Sequence, residues 1–188
     1  MSNKILTALA GAALLATLSP NLFAQRPTVA TDVPNSEIMT VFEHMNDTID
    51  QQVRIVDIGD DINVAVGILQ RKVTRTEGDE VAAIVHHQVT EVYYVLSGSG
   101  VLVTGGNATA SSEFAPDNIS VLELIGPSGS RTVVNGQTRT VSAGDVVVIP
   151  AGVPHGFRHI QEQITYLSIR VDPDQVLPTG YAHPSLED

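Results

Sequence analysis

The chain contains no cysteine. Without thiols there is no disulfide to staple the core, no thiolate nucleophile and no cysteine-based zinc site, so any metal must be held by histidine and carboxylate. Basic residues are scarce as well. Ten Lys and Arg stand against 21 Asp and Glu, for a formal charge of -11. Such a surface repels phosphate backbones, and with no basic cluster to offset it, nucleic acid is excluded as a partner. Charged residues make up 16 % and hydrophobic residues 43 % of the 188. That balance marks a globular chain, long enough for one domain with a sizeable core.

Near the start, Ile5 to Leu18 form an apolar run too short to span a bilayer comfortably. Lys4 precedes it, Ser19-Pro20 breaks it, and Leu22-Phe23-Ala24 resembles a cleavage site. Residues 1–24 are therefore expected to be a signal peptide, leaving a periplasmic or secreted protein with no membrane association after cleavage. Residues 25–50 read as an N-terminal arm with a short helix. Ser36 is placed to cap a helix from Glu37 to about Asn46, with Ile38, Val41, Phe42 and Met45 on one face. That stripe is expected to pack on the body of the protein or on a second subunit.

From Gln52 onward the periodicity is that of strands. Ile62, Val64, Val66 and Ile68 alternate with Asn63, Ala65, Gly67 and Leu69. Further strands are expected at 81–87, 92–96, 101–104, 120–125, 131–134, 138–141, 146–149 and 164–171. Turn residues separate them, and Asn135-Gly136 is a strong two-residue hairpin signal. Asn107 to Asn118, poor in apolar residues, is expected to be a loop. The fold class is all-β, a sandwich or barrel over residues 51–172 with a short N-terminal helix, followed by an irregular tail at 173–188.

Two stretches carry chemistry. Gly144-Asp145-Val146-Val147-Val148-Ile149-Pro150-Ala151-Gly152-Val153-Pro154-His155 is a strand, a rigid turn, and a histidine as the next strand begins. Upstream, His86 and His87 are followed by Glu91, Tyr93 and Gly98. Together they offer imidazoles and a carboxylate that two β-hairpins can bring to one point, which is the makings of a metal site. Gly144, Pro150, Gly152 and His155 resemble the second motif of the cupin superfamily, with His159 where an asparagine usually stands. Glu91 and Gly98 resemble the end of the first cupin motif. The resemblance covers roughly residues 52–171 and implies a jelly-roll β-barrel.

Cupins usually place a His-x-His pair before the glutamate. Here, with four residues intervening, His86 takes the second histidine position and Ile84 stands at the first. With three, the positions fall to His87 and Val85. Adjacent strand residues point to opposite faces, so only one of His86 and His87 coordinates. The spacing from His86 resembles that of secreted germin-type members. The resemblance thus implies a metal set of His86 or His87, Glu91 and His155, taking a divalent Fe, Mn, Cu, Ni or Zn ion and leaving coordination positions open.

Strand alternation puts Tyr93 on the Glu91 face, where its hydroxyl could serve as a proton donor, and gives His159 the parity of His155. Arg158 and Arg170 are expected at the surface, with binding of a carboxylate substrate as the alternative. The function expected is that of an exported metal-dependent enzyme, dioxygenase-like, acting on a small oxygen-bearing molecule. The alternatives are a metal-dependent isomerase, lyase or hydrolase, or a non-catalytic cupin that binds a small molecule, a sugar or the metal. Barrel cupins often pair through N-terminal segments, so a homodimer is expected.

Overall fold

The computed structural model describes residues 26–187; the expected signal peptide, 1–24, lies outside them. Helix α1 spans Asn35–Glu43. It starts earlier than Ser36 suggested, because Pro34 takes the cap position and its carbonyl accepts from Glu37 and Ile38. It stops before Asn46, which adopts a left-handed conformation at φ 50°. The apolar stripe does what its spacing implies: Val41 and Met45 are fully buried against Val53 and Ile68, with Ile38 and Phe42 packed alongside.

Twelve strands follow: β1 (Asp50–Asp57), β2 (Asn63–Arg71), β3 (Thr74–Arg75), β4 (Val81–His86), β5 (Thr90–Ser97), β6 (Ser99–Thr104), β7 (Asn107–Glu113), β8 (Ser128–Val134), β9 (Gln137–Ser142), β10 (Val146–Ile149), β11 (His155–Ile160) and β12 (Ile164–Asp172). They form two antiparallel sheets in a jelly-roll arrangement. One runs β1-β2-β12-β5-β10. The other runs β7-β8-β4-β11-β6-β9, with β3 beside β11. Period-two alternation points Tyr93, Val95, Leu102, Ile149 and Tyr166 inward, into the core shared by the sheets. The outer face of the first sheet is covered in part by α1, which an ion pair between Glu37 and Arg54 also ties to β1.

Three local expectations are corrected. Asn135-Gly136 is not the turn of a two-residue hairpin: β8 and β9 do not pair with each other. Instead β6 pairs β9 and β7 pairs β8 in one continuing register, Thr104 facing Gln137 and Asn107 facing Val134. The four strands are a single long ribbon, and Asn135-Gly136 lies opposite Gly105-Gly106 where it bends. Left-handed φ at Asn135, Gly105 and Gly106 supplies the bend. Asn107 to Asn118 is therefore not a loop throughout. Its first seven residues are the edge strand β7, exposed along its whole length, and hence free of the apolar alternation that betrays a half-buried strand. Finally, residues 120–125 are not a strand. Val121–Ile125 is a single π-helical turn that buries Val121 and Ile125 and ends at Gly126, φ 64°.

Gly98 closes the tight β5–β6 turn at φ 75°, and a Cβ there would fall on the carbonyl oxygen of Gln163. Gly152 is also left-handed, φ 80°, but open space surrounds it. Gly152→Ala should therefore cost only the left-handed penalty of about 1–2 kcal/mol. Gly98→Ala should cost about 1–3 kcal/mol more through the added clash. Urea denaturation of the two variants measures the difference, and equal losses would contradict this packing.

Candidate metal centre

Each sheet contributes half of the site. Glu91 stands near the start of β5 in one sheet, directly across from Arg170 on β12. His86 ends β4 and His155 begins β11 in the other. The rigid turn before His155 is docked onto the strands that carry the other two residues: the Gly152 N–H donates to the His86 carbonyl on β4 at 2.7 Å, and the Ala151 N–H to Thr90 Oγ1 on β5 at 3.2 Å. One residue further on, Gly156 lies so close to β4 that a Cβ would meet the Ala82 carbonyl. This close approach of two backbones sets the imidazoles side by side, ring centres 5.2 Å apart.

His86, Glu91 and His155 each direct one ligand atom to a common point, all within 4.8 Å of one another. All three residues are at least 96 % buried. Their hydrogen-bond partners determine what those atoms carry. His155 Nδ1 lies 3.0 Å from the Val153 carbonyl, which can only accept, so Nδ1 holds the proton. His86 Nδ1 lies 2.8 Å from Ser128 Oγ, whose own proton goes to the carbonyl of Gly126 at 2.9 Å or Ile125 at 3.2 Å. The serine oxygen must then accept from His86. Both Nε2 atoms consequently present lone pairs, 3.2 and 3.0 Å from Glu91 Oε2.

The His155 contact lacks hydrogen-bond alignment, and no described group satisfies that buried nitrogen. Three electron-pair donors face one point with no proton between them. This arrangement fits a divalent cation.

The carboxylate is braced from behind. Glu91 Oε1 accepts from Ser168 Oγ at 2.7 Å and from Arg170 Nε at 3.1 Å. Arg170 is not a surface residue, as expected from the sequence, but fully buried. It also donates to Gln52 Oε1 at 2.8 Å and forms an ion pair with Asp50. There is room for its guanidinium because β2 carries Gly67 at that level; a Cβ would sit 2.8 Å from Arg170 Nη1. Burial opposes ionisation of Glu91, whereas any positive charge at the imidazole side, together with Arg170 on Oε1, lowers its carboxyl well below the usual range; with both Nε2 atoms unprotonated, Arg170 and Ser168 are the groups that stabilise the carboxylate. Burial also pushes the His86 imidazole down, toward the neutral form that a metal requires.

The remaining candidates divide. Tyr93 shares the Glu91 face and donates to Glu91 Oε2 at 3.0 Å, with its ring edge-on to His155. Burial, with the Glu91 charge adding to it, pushes its hydroxyl pKa well up, so it keeps its proton. His87 lies just past the end of β4, in the bend that follows, and is turned away from the cluster. It lies half-exposed beside Glu113, Nε2 to Oε2 2.6 Å, and takes no part in the cluster. His159 does not keep the parity of His155. An irregularity between Phe157 and His159 shifts the register, so that Ile160 enters the core and His159 pairs across from Arg75.

The groups that sequence reasoning missed are Ser128, Ser168, Arg170, Asp50 and Gln52. One signal existed: along β12, Tyr166, Ser168, Arg170 and Asp172 share one parity while Leu167, Ile169 and Val171 hold the other, and the polar set is the buried one. A cavity of ≈ 320 Å³ opens beside the cluster, with His155, Gly156 and Phe157 in its wall.

Residues 128–170 match the family model described as Cupin domain. No curated protein matches the chain. Among solved structures the chain is similar to the protein BH2720 of Bacillus halodurans, at 19 % identity and TM-score 0.43, covering 82 % of this chain and 89 % of that one. It is also similar to the oxalate decarboxylase of Bacillus subtilis, at 16 % identity and TM-score 0.40, covering 66 % of this chain and 25 % of that one. A third is the DMSP lyase DddQ of Ruegeria pomeroyi, at 15 % identity and TM-score 0.37, covering 65 % of this chain and 46 % of that one. The chain thus spans about a quarter of the decarboxylase and under half of the lyase.

Arg170→Met removes one partner from two buried carboxylates and should lower stability by about 3–5 kcal/mol. Arg170→Lys should not restore it, because an ammonium lacks the fork that reaches Glu91, Gln52 and Asp50 together. Ser128→Ala leaves the fold intact but unfastens the His86 ring, and metal affinity should fall about 10–100-fold. Denaturation curves and metal titration read the two effects separately.

Proposed function

We propose that this chain, which carries a cupin domain, is a metal-dependent enzyme of the oxidoreductase class, dioxygenase-like, acting on a small oxygen-bearing molecule. The observation that carries the reading is the convergence of His86 Nε2, His155 Nε2 and Glu91 Oε2, each with its proton elsewhere or absent, with His155 in the wall of a cavity. Two imidazoles and one carboxylate are the donor set of sites that keep open coordination positions. A bound divalent ion would supply Lewis acidity or dioxygen activation there.

The chain's own residues do the rest. Ser128 and the Val153 carbonyl fix the two rings, and Arg170 and Ser168 fix the carboxylate. Glu91 is a ligand rather than a base, because its oxygens are already committed. Tyr93 holds a proton at Oη beside the cluster and serves as the hydrogen-bond or proton donor. Phe157 and Ile160 give the cavity an apolar wall that limits water. His159, facing away, has no part.

Elemental analysis of the untagged protein should find near-stoichiometric iron, manganese or copper, lost in both His155→Ala and Glu91→Ala. Tyr93→Phe should retain the metal and lose turnover. Metal present without oxygen uptake across a screen of small enols, catechols and oxo acids would sink the oxidative part of the reading. No metal, and no rise in melting temperature on adding any, would sink the reading as a whole.

A further inference from the structure

The cavity beside the cluster has a second chemical end. It follows β11 from His155, at the strand's start, to Ile160 at its end, where Thr74 pairs with Ile160 and Arg71 stands close by. Five steps at about 3.3 Å each make this a path of roughly 16 Å or less. Arg71 is the last residue of β2, on the same inward parity as Ala65, Gly67 and Leu69, and pairs with Ile164.

Its environment is unusual for this protein. Arg71 is partly buried, yet among the described residues no carboxylate lies within ion-pair distance of it. Its one hydrogen bond is a long one, Nε to the Tyr166 hydroxyl at 3.4 Å, and both Nη groups are left for another partner. Among the described residues it is the only charged side chain in the cavity wall, and no acidic residue appears there, although acidic residues outnumber basic ones 21 to 10 in the chain. Asp50 is the carboxylate whose charge reaches it, but Asp50 is paired directly with Arg170, so a partly buried guanidinium is left with no anion on its Nη groups and gains when one arrives to pair with it. A planar fork with its Nη groups free matches a carboxylate. Between Arg71 and His155 the wall is largely apolar, formed by Ile84, Phe114, Phe157 and Ile160.

We infer that Arg71 is the anchor for the carboxylate of the substrate. The substrate class is then a small monocarboxylic acid with an apolar body. Its acid group lies at the far end of the cavity from the metal cluster, so that another group, not the carboxylate, meets His155. Thr74 and Thr76, in the same wall, supply hydroxyls near the anchored end. The inference rests on the functional reading above and names the substrate class for that site.

Calorimetric titration of the whole mature protein with hexanoate and 3-phenylpropanoate, against the amide of each, tests it. The protein is used both metal-loaded and chelator-stripped. Each acid should bind wild type at least tenfold tighter than its amide, in both states, because Arg71 is not a metal ligand. Arg71→Gln should abolish that preference, and Arg71→Lys should restore part of it. A merely structural role for Arg71, bracing Tyr166, would leave the acid-over-amide ratio unmoved.

Equal binding of acid and amide by wild type, or no binding of any probe, overturns the inference. So does an acid preference that survives Arg71→Gln but disappears on stripping; that result would place the carboxylate on the metal and leave the functional reading standing. An Arg71-dependent preference in a protein that takes up no metal upholds the anchor and sinks the functional reading instead.

Discussion

A carboxylate from one sheet faces two imidazoles from the other with no proton to share, and much of the interior is arranged around that meeting. Glu91 is fully buried and ionised. Such a group is tolerated only if its oxygens are paired. Arg170 and Ser168 satisfy one oxygen, and the other is left to Tyr93 and the cluster. Arg170 in turn is buried, and needs Asp50 and Gln52. Gly67 is small because the guanidinium passes over it. One buried charge thus accounts for the character of positions on β1, β2, β5 and β12.

The same chain of necessity explains why the site is preformed. The histidine rings are held from the side away from the cluster, by a serine hydroxyl and a backbone carbonyl, so each tautomer is set before any ligand arrives. The turn through Pro150 and Gly152 is fastened to the carbonyl of His86 itself, and Gly156 lets β11 press against β4. Preorganisation of this kind costs nothing at the moment of binding, because its cost was met in folding. A cation bound there would join the two sheets through their side chains, where the backbone ladders do not connect them.

Arg71 stands in contrast to Arg170. Both are arginines on inward-facing strand positions of the same sheet; Arg170 is fully buried and Arg71 partly so. Arg170 meets two carboxylates and a side-chain amide, which makes it part of the scaffold. Arg71 meets a tyrosine hydroxyl and an open cavity. The difference lies in the partners rather than in residue type.

The strand periodicity, the Pro150-Ala151-Gly152 turn and the spacing from His86 to Glu91 were all legible along the chain, because they are local: alternation, φ preference and residue type act over a few positions. From them came the two-sheet fold, the amphipathic helix and a ligand set that needed no cysteine. Whether His86 or His87 faced inward turned on where β4 ends, and the direction of His159 on an irregularity in β11, both set by pairing with neighbouring strands. The ribbon bend at Asn135-Gly136 and the strand character of Asn107–Glu113 likewise depend on partners far away in sequence. Arg170 appeared from the chain to be a surface cation. Only the tertiary structure could show that Asp50, 120 residues earlier, and Glu91 would be folded against it, since the cost of burying a charge is decided by what else is buried beside it.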